Sequence, residues 1–249
     1  MSKGGTTGRG GLLAALAPLP PAAAWACGVG AGLAYSGWVV DLAVAPDHDW
    51  HSVVSGLQVP GAPLSTLLRV LDVACGVLVL ALVPGLAAAL PGRHGREVLL
   101  RRVAVWATVV FALGCIGAAV VPLPSCAVDE VCRSGAQLTR RVVHDGFSVA
   151  SQAGVFLAAA AVGLLTRGRG PRWLHRAAWA AVWLGGVSAT VLLLLATVPV
   201  CPSWGPGVGQ RFQIVVTSMW LVALAAAAAD GARSSRDLRP VEAHKMPGR

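Results

Sequence analysis

Titratable side chains cluster in one short stretch of an otherwise apolar chain. Five of them fall between positions 41 and 51: Asp41, Asp47, His48, Asp49 and His51. Carboxylates and imidazoles bind zinc and transfer protons in enzymes. His48, Asp49 and His51 are therefore candidate metal ligands, although neither H-E-x-x-H nor another established zinc spacing is present. The stretch leaves the identity of any cofactor open.

Three further residues have the chemistry of an acid/base site and lie in or beside longer apolar runs. They are the candidate catalytic residues Asp72, His144 and Asp145. A protonated carboxyl group can donate a proton to a substrate, and a neutral imidazole can accept one. The alternative is a structural hydrogen-bond network, in which Asp72 pairs with Arg69 or Arg211 and His144 caps a helix.

The elements that carry these residues are predicted to be transmembrane helices. The chain is 55% hydrophobic and only 12% charged, whereas about 25% of residues are charged in a soluble domain. Six apolar runs reach the roughly 20 residues that a helix needs to cross a bilayer: Ala22–Ala45, Thr66–Leu90, Arg102–Val121, Val142–Leu165, Ala177–Val200 and Phe212–Ala229. We therefore expect an all-α bundle of six transmembrane helices over residues 22–229, between a cytoplasmic segment 1–21 and a disordered cytoplasmic tail 230–249.

Lysines and arginines predict the orientation of this bundle. Fifteen of the 20 lie in the two termini or in the connections after the second and fourth spans, and five lie on the other side. An excess of basic residues marks the cytoplasmic side, so both termini are predicted to be cytoplasmic in the plasma membrane. The net charge of +9 does not indicate nucleic-acid binding, because the basic residues form short clusters between apolar runs rather than one basic face.

Helical periodicity places the polar residues of three spans at one depth near the outer surface. One stripe, at positions i, i+4, i+7 and i+8, consists of His144, Ser148, Ser151 and Gln152. The other two are Arg69, Asp72, Cys75 and Gln210, Gln213, Thr217. We expect the three stripes to face each other around an outward-facing polar pocket. Its candidate substrate-binding residues are Trp38, Asp41, Arg69, Gln210 and Arg211, with Arg211 as the partner of an anion.

Glycines and cysteines add two further predictions. Gly28 and Gly32 are expected to allow close helix contact in the first span. Cys126 and Cys132 lie in a predicted outer loop, in the oxidising compartment, and are expected to form a disulfide. Cys201 is predicted at the same level and is a competing partner.

Several short motifs resemble those of one known family. They are the His/Asp-containing loop after the first span, "RVLD" (Arg69–Asp72), "PLPSC" followed by a second cysteine, His144-Asp145, and Gly209-Gln210-Arg211. From about Trp25 to Ala229 the chain resembles the domain-of-unknown-function 998 family of actinobacterial six-helix membrane proteins. The resemblance implies the architecture and marks the first loop (His48–His51) together with Arg69, Asp72, His144, Asp145, Gln210 and Arg211. It departs at Ser125, where the family often has an acidic residue, and it implies no activity.

Three functions are compatible with this pattern. The first is the binding or acid/base processing of a lipid-derived or isoprenoid substrate from the bilayer. The second is a non-catalytic accessory role, in which the polar network fixes helix packing and the outer loops bind another membrane protein. The third is an integral-membrane terpene cyclase that protonates an isoprenoid through Asp72, since tryptophan faces can stabilise a cation.

Overall fold

All regular secondary structure in the described part of the protein is helical. The computed structural model describes residues 17–44, 50–92, 94–126, 134–168, 170–195 and 205–237. In chain order its elements are α1 (Pro21–Tyr35), α2 (Val39–Val44), a 3₁₀ helix (Val54–Gln58), α3 (Ser65–Ala89), α4 (Arg96–Val120), α5 (Gly135–Thr166), α6 (Arg172–Ala180), a π-helix (Ala181–Ser188), α7 (Ala189–Leu195) and α8 (Gly205–Asp237). The prediction of an all-α protein is confirmed.

Five helices are long and apolar enough to cross a membrane. They are Ser65–Ala89, Arg96–Val120, Gly135–Thr166, the continuous run Arg172–Leu195 formed by α6, the π-helix and α7, and Gly205–Arg233. They correspond to the second through sixth predicted spans. Helices satisfy every interior backbone donor and acceptor within the segment, which is the requirement that a hydrocarbon environment imposes.

The first predicted span is not one continuous helix. α1 ends at Tyr35 and α2 begins at Val39. Between them the Gly37 N–H donates to the Ala34 carbonyl at 3.0 Å and the Val39 N–H donates to the Ser36 carbonyl at 3.1 Å. These i→i−3 bonds tighten and redirect the chain. The expectation of a single helix over Ala22–Ala45 is therefore corrected to two helices joined by a turn, and Ala45 lies outside the described residues.

Small residues allow α1 to pack closely against α8. A Cβ added at Gly28 would collide with Ala225, and one added at Gly32 would lie 3.0 Å from the Ser218 carbonyl oxygen. This confirms the predicted close contact, which in a membrane depends on van der Waals packing because lipid supplies little hydrophobic drive. Directly after the C-terminal end of α1, the Ser36 hydroxyl shares a hydrogen bond of 2.9 Å with the Ser218 hydroxyl of α8.

Two helices extend beyond their predicted bounds. α5 begins at Gly135, where the Ser134 hydroxyl accepts from the Gln137 N–H in a capping box. His144 consequently lies inside α5, so the alternative in which it caps that helix is wrong. α8 begins at Gly205 and continues to Asp237. The change to polar sequence at Asp230 does not end this helix, and residues 238–249 lie outside the described part of the chain.

Candidate functional site

A cavity of about 550 Å³ lies at one end of the bundle, where α3, α5 and α8 start and α4 finishes. Members of all three predicted polar stripes line it: Asp72, His144, Ser148, Ser151, Gln152, Gln210 and Gln213. Trp38, in the turn between α1 and α2, lines it as well. The convergence of polar residues that periodicity predicts is therefore present in the structure. The chemical roles assigned to these residues stay predictions.

Asp72 is held by the connection between α2 and α3. The Gln58 Nε2 donates to the Asp72 Oδ2 at 2.5 Å. The Ser65 hydroxyl donates to the Gln58 carbonyl at 3.1 Å, which fixes the 3₁₀ helix against the start of α3. Gln58 and Ser65 are both buried. The carboxylate therefore lies in the cavity wall with an amide donor on one oxygen.

Arg69 does not pair with Asp72, although the two are three residues apart on α3. Its Nε donates instead to the Ala119 carbonyl at 2.7 Å. Ala119 lies in the last turn of α4, where carbonyl groups lack intrahelical donors and the helix dipole favours a cation. The predicted Arg69–Asp72 pair is wrong, and Arg69 does not line the cavity.

The same helix end orients His144. Its Nδ1 lies 3.1 Å from the Ala118 carbonyl oxygen and 2.8 Å from the Val121 carbonyl oxygen. Carbonyl oxygens only accept hydrogen bonds, so Nδ1 must carry a proton. His144 is 2% exposed and lines the cavity. Nε2 is therefore the ring nitrogen that remains to act on a ligand, as an acceptor when the ring is neutral.

The floor of the cavity joins α1, α4 and α5. The Gln152 Nε2 donates to the Tyr35 hydroxyl at 2.7 Å, and the Cys115 thiol and the Ser151 hydroxyl lie 3.2 Å apart. The Gln152 Oε1 is buried without a hydrogen-bond partner. Tyr35 contacts Phe111 edge-to-face, with ring centroids 5.6 Å apart. The floor thus combines aromatic surface with an unused acceptor.

Arg211 fastens the connection between α2 and α3 rather than facing the cavity. Its guanidinium lies 5.5 Å from the Trp38 ring and 5.3 Å from the Trp50 ring, and its Nη1 donates to the Trp50 and Ser52 carbonyls at 2.9 and 3.0 Å. Arg211 is 4% exposed and does not line the cavity. Its predicted role as the anion partner of a ligand is corrected to a structural one.

Two other residues in the first turns of α8, Gln210 and Gly207, also hold the connection between α2 and α3. The Gln210 Oε1 accepts from the Val54 N–H at 2.6 Å, and the Gly207 N–H donates to the His51 carbonyl at 3.0 Å. A side chain at Gly207 would overlap the Ser52 carbonyl. Residues 50–58 therefore form a cover that the first turns of α8 hold over the cavity.

Other predicted site residues lie apart from the cavity. Asp145 is exposed near the start of α5, where its carboxylate is 3.8 Å from the Arg141 Nε, and it does not line the cavity. Asp41 is buried in α2 but is not part of the cavity wall. The predictions that these two carboxylates face the ligand are corrected accordingly. Asp145 lies one turn before Val149 on α5, and its carboxylate extends back toward Arg141 and solvent rather than into the cavity.

The metal and disulfide predictions fall mostly outside the described residues. His48, Asp49, Cys132 and Cys201 all lie there, and His51 is described but does not line the cavity. Within the described ranges no three His, Cys, Asp or Glu residues are grouped as metal ligands would be. No disulfide joins two cysteines of those ranges, and Cys27, Cys75 and Cys115 are free thiols. The Cys126–Cys132 bond stays a prediction.

Among the contributors to the cavity that sequence reasoning missed are Tyr35, Gln58, Cys115 and Phe156. Tyr35 is the single tyrosine of the chain, and Gln58 is an isolated amide in a mainly apolar stretch. A polar residue that is rare in the chain, or isolated among apolar residues, is a sequence signal by which Tyr35 and Gln58 could have been identified. Cys115 and Phe156 carry no comparable signal, because small and aromatic residues are ordinary helix-packing side chains.

The exposure of three cavity-wall residues on α5 and α7 indicates an opening on the side of the bundle between these helices. Val149 and Ala153 of α5 and Thr190 of α7 line the cavity and are exposed as well, with Val149 at 68%. Deeper in the bundle the gap closes, because Phe156 packs against Gly185 and Gly186 of the π-helix. We call the gap bounded by Val149, Ala153 and Thr190 the side opening.

A family model described as "Protein of unknown function (DUF998)" matches residues 28–227. The chain belongs to this family. The matched region runs from α1 to α8 and includes every residue of the cavity wall. No curated protein and no solved structure matches the chain. Since the description of DUF998 assigns no activity, function has to be argued from the cavity itself.

Proposed function

We propose that this DUF998 protein binds the polar end of a lipid-derived or isoprenoid molecule in its cavity, with the hydrocarbon part in the side opening. The observation that carries the proposal is the combination of polar groups in the cavity wall with an apolar gap that opens toward the membrane-facing surface. A ligand with one polar and one apolar end is complementary to both.

The size and lining of the cavity support such a ligand. Its volume of about 550 Å³ is within the range of small-molecule sites, roughly 300–1,000 Å³. Trp38, Phe156 and Ile214 supply apolar surface, whereas Asp72, His144 and Gln152 supply convergent polar groups. Such a mixture is typical of ligand sites and is unusual for a bundle interior that serves packing alone.

Charge distribution supports an outward-facing cavity in the plasma membrane. The five basic residues of the less basic side include Arg69, Arg140, Arg141 and Arg211, and all four lie at the cavity end of their helices. The remaining 15 are assigned to the cytoplasmic side, which also receives both termini. In this arrangement α1 and α2 together form a sixth, broken span, and the ligand enters from the outer leaflet.

If the protein catalyses a reaction, Asp72 and His144 are the acid/base pair. Both face the cavity, and the His144 Nε2 is available because Nδ1 is committed to carbonyl groups. Asp145 has no part in this chemistry, since it pairs with Arg141 outside the cavity.

The proposal is tested by the lipids that remain bound to the purified protein. Asp72→Asn and His144→Asn remove the acid and the Nε2 atom, and the asparagine amide at position 144 preserves a donor toward the carbonyls of α4. We expect both variants to fold and to lose a co-purifying amphiphile that wild type retains, as measured by mass spectrometry of extracted lipids. Asp145→Asn is the matched control and should retain it.

The accessory function gives the opposite pattern. If the polar network serves only packing, wild type and folded variants will carry the same bulk lipids, and the substitutions will change only the yield of folded protein. In that case the ligand-binding proposal is rejected. If wild type retains the amphiphile and the variants lose it, comparison of the metabolites of a deletion strain and its complemented strain decides between binding and catalysis, because loss of an enzyme leaves its substrate to accumulate.

A protonating terpene cyclase is a second candidate, favoured by the three aromatic residues that share the cavity with Asp72. Tyr35, Trp38 and Phe156 would face a carbocation formed when the carboxylic acid protonates an alkene. Purified protein incubated with a linear polyprene should then yield a cyclic product that Asp72→Asn does not make, detectable by gas chromatography and mass spectrometry. An unchanged polyprene rejects this candidate.

A further inference from the structure

The charge of the cavity wall restricts the head group that the cavity can accept. Among the residues that line it in the described ranges, Asp72 is the single carboxylate, and neither lysine nor arginine is present. The two nearby arginines are engaged elsewhere, Arg69 with the Ala119 carbonyl and Arg211 with the Trp50 and Ser52 carbonyls. In the part of the chain that the structure describes, the wall itself therefore contributes one carboxylate and no lysine or arginine side chain.

The hydrogen-bonding groups of the wall favour a donor on the ligand. Gln58 donates to the Asp72 Oδ2, and the structure gives the Oδ1 no donor within the described ranges. The Gln152 Oε1 is buried without a partner, while the amide nitrogen of the same side chain is used by Tyr35. The His144 Nε2 is a further acceptor when the ring is neutral. A donor on a ligand beside Asp72 would therefore find acceptors in the wall, which also holds the unpartnered Trp38 Nε1 donor.

Aromatic surface completes a cation site. Tyr35 and Phe156 line the same cavity as Asp72, and the Trp38 ring, which also lines it, has the Arg211 guanidinium 5.5 Å from its centroid. Aromatic faces attract cations through the ring quadrupole, most strongly where the cation is desolvated. A carboxylate with aromatic neighbours is the combination that stabilises an ammonium group, and it repels a phosphate, whose charge would meet Asp72 at low dielectric.

We propose that the ligand is a single-chain amphiphile with one cationic amine head, whose ammonium group lies beside Asp72 and whose chain leaves through the side opening. This inference rests on the proposed function and specifies its ligand class. The ammonium group donates to Asp72 and to Gln152, and it neutralises the only charge of the cavity wall in the described ranges. The hydrocarbon chain passes Val149 and Thr190 into the membrane.

The test compares head groups on one chain length with wild-type protein in an uncharged maltoside detergent. A photoreactive dodecylamine and a photoreactive dodecanol, each with a diazirine in the chain, are crosslinked to the protein, and labelled peptides are mapped by mass spectrometry. Unlabelled dodecylammonium, dodecanol and dodecyl phosphate compete. We expect labels on α5 and α7 at the side opening. Dodecylammonium should compete at an about tenfold lower concentration than dodecanol, and dodecyl phosphate should compete least.

Two variants connect this preference to the carboxylate. Asp72→Asn should remove the advantage of dodecylammonium over dodecanol, whereas Asp145→Asn, which changes an exposed carboxylate outside the cavity, should retain it. Equal or stronger competition by dodecyl phosphate or dodecanol overturns the inference. The inference is also overturned if the Asp72→Asn variant still prefers dodecylammonium over dodecanol. If Asp72→Asn does not fold, the inference is accepted or rejected from the order in which the three unlabelled ligands compete for the wild-type protein.

Failure of the inference and failure of the proposed function give different results. If dodecanol and dodecylammonium both label the side opening equally, the amphiphile site stands and its cation selectivity is rejected. If neither probe labels α5 or α7 above the level seen with excess competitor, the proposed function itself is rejected.

Discussion

The two ends of the helical bundle are built on different principles, although the same helices run through both. At the closed end, α1, α3 and α8 meet through Ala24, Leu82, Ala225 and Ala228, which are almost fully buried. At the cavity end, α1 breaks at the Ser36–Trp38 turn, and polar side chains hold the connections in place. In this bundle, small apolar residues allow close helix contact at one end, whereas polar side chains hold the connections and line a cavity at the other.

The comparison predicts that the cavity end depends most on Arg211. Arg211→Met removes two charge-assisted hydrogen bonds and the contact with Trp38 and Trp50. Because hydrogen bonds to charged groups contribute about 1.5–3 kcal/mol each, we expect a loss of roughly 3 kcal/mol in the free energy of unfolding. Hydrogen exchange should accelerate in residues 50–58, where the cover is released.

Arg141→Met is the control for this effect. Arg141 is exposed and pairs with Asp145 at 3.8 Å, an arrangement that contributes about 0.3–0.5 kcal/mol. Similar losses in the two variants, or unchanged exchange of residues 50–58 in Arg211→Met, would show that the cover is not fastened by Arg211.

The closed end is expected to respond to added volume rather than to lost polarity. Gly28→Ala introduces a Cβ that collides with Ala225 of α8. We expect a loss of about 1–3 kcal/mol, the usual cost of overpacking, measured by thermal unfolding in detergent. Gly146→Ala is the matched control, because a Cβ there meets no neighbouring atom within 4 Å. It should be neutral or slightly stabilising, and equal destabilisation by both substitutions would contradict close packing at Gly28.

The smallest effect is expected from the hydrogen bond between α1 and α8 at the turn that redirects α1. There the hydroxyl groups of Ser36 and Ser218 are 2.9 Å apart. Interhelical hydrogen bonds in membranes contribute about 0.6 kcal/mol on average. A double-mutant cycle of Ser36→Ala and Ser218→Ala should give a coupling of that order. Additive effects of the two substitutions would mean that this bond does not help to position the turn.

The spans and the polar stripes were predictable because both are local properties. An apolar run of sufficient length predicts a membrane helix, and the spacing of His144, Ser148 and Gln152 predicts a common face. The break after Tyr35 was not predictable on this basis, since hydropathy stays high through the turn. Helix ends were displaced as well, because the Ser134 capping box starts α5 well before its apolar run begins.

The partners of the arginines could not be predicted. Arg69 and Asp72 have the spacing of a helical ion pair, but the last carbonyl groups of α4 compete for the guanidinium. Both Arg69 and His144 bind that helix end, through Ala119 in one case and Ala118 in the other. Side-chain reach and the proximity of another helix terminus decide such pairings, and neither is encoded in spacing along one helix.

The amino-acid sequence by itself determined that this chain is a bundle of membrane helices and which face of each helix is polar, because hydrophobic length and helical period are read within a single segment. Only the tertiary structure decided that Asp72 faces the cavity without an arginine partner and that Arg211 fastens the cover. It likewise decided that the space opens sideways between α5 and α7. These outcomes depend on which helix ends and side chains meet across the bundle, and that is settled by packing among distant segments.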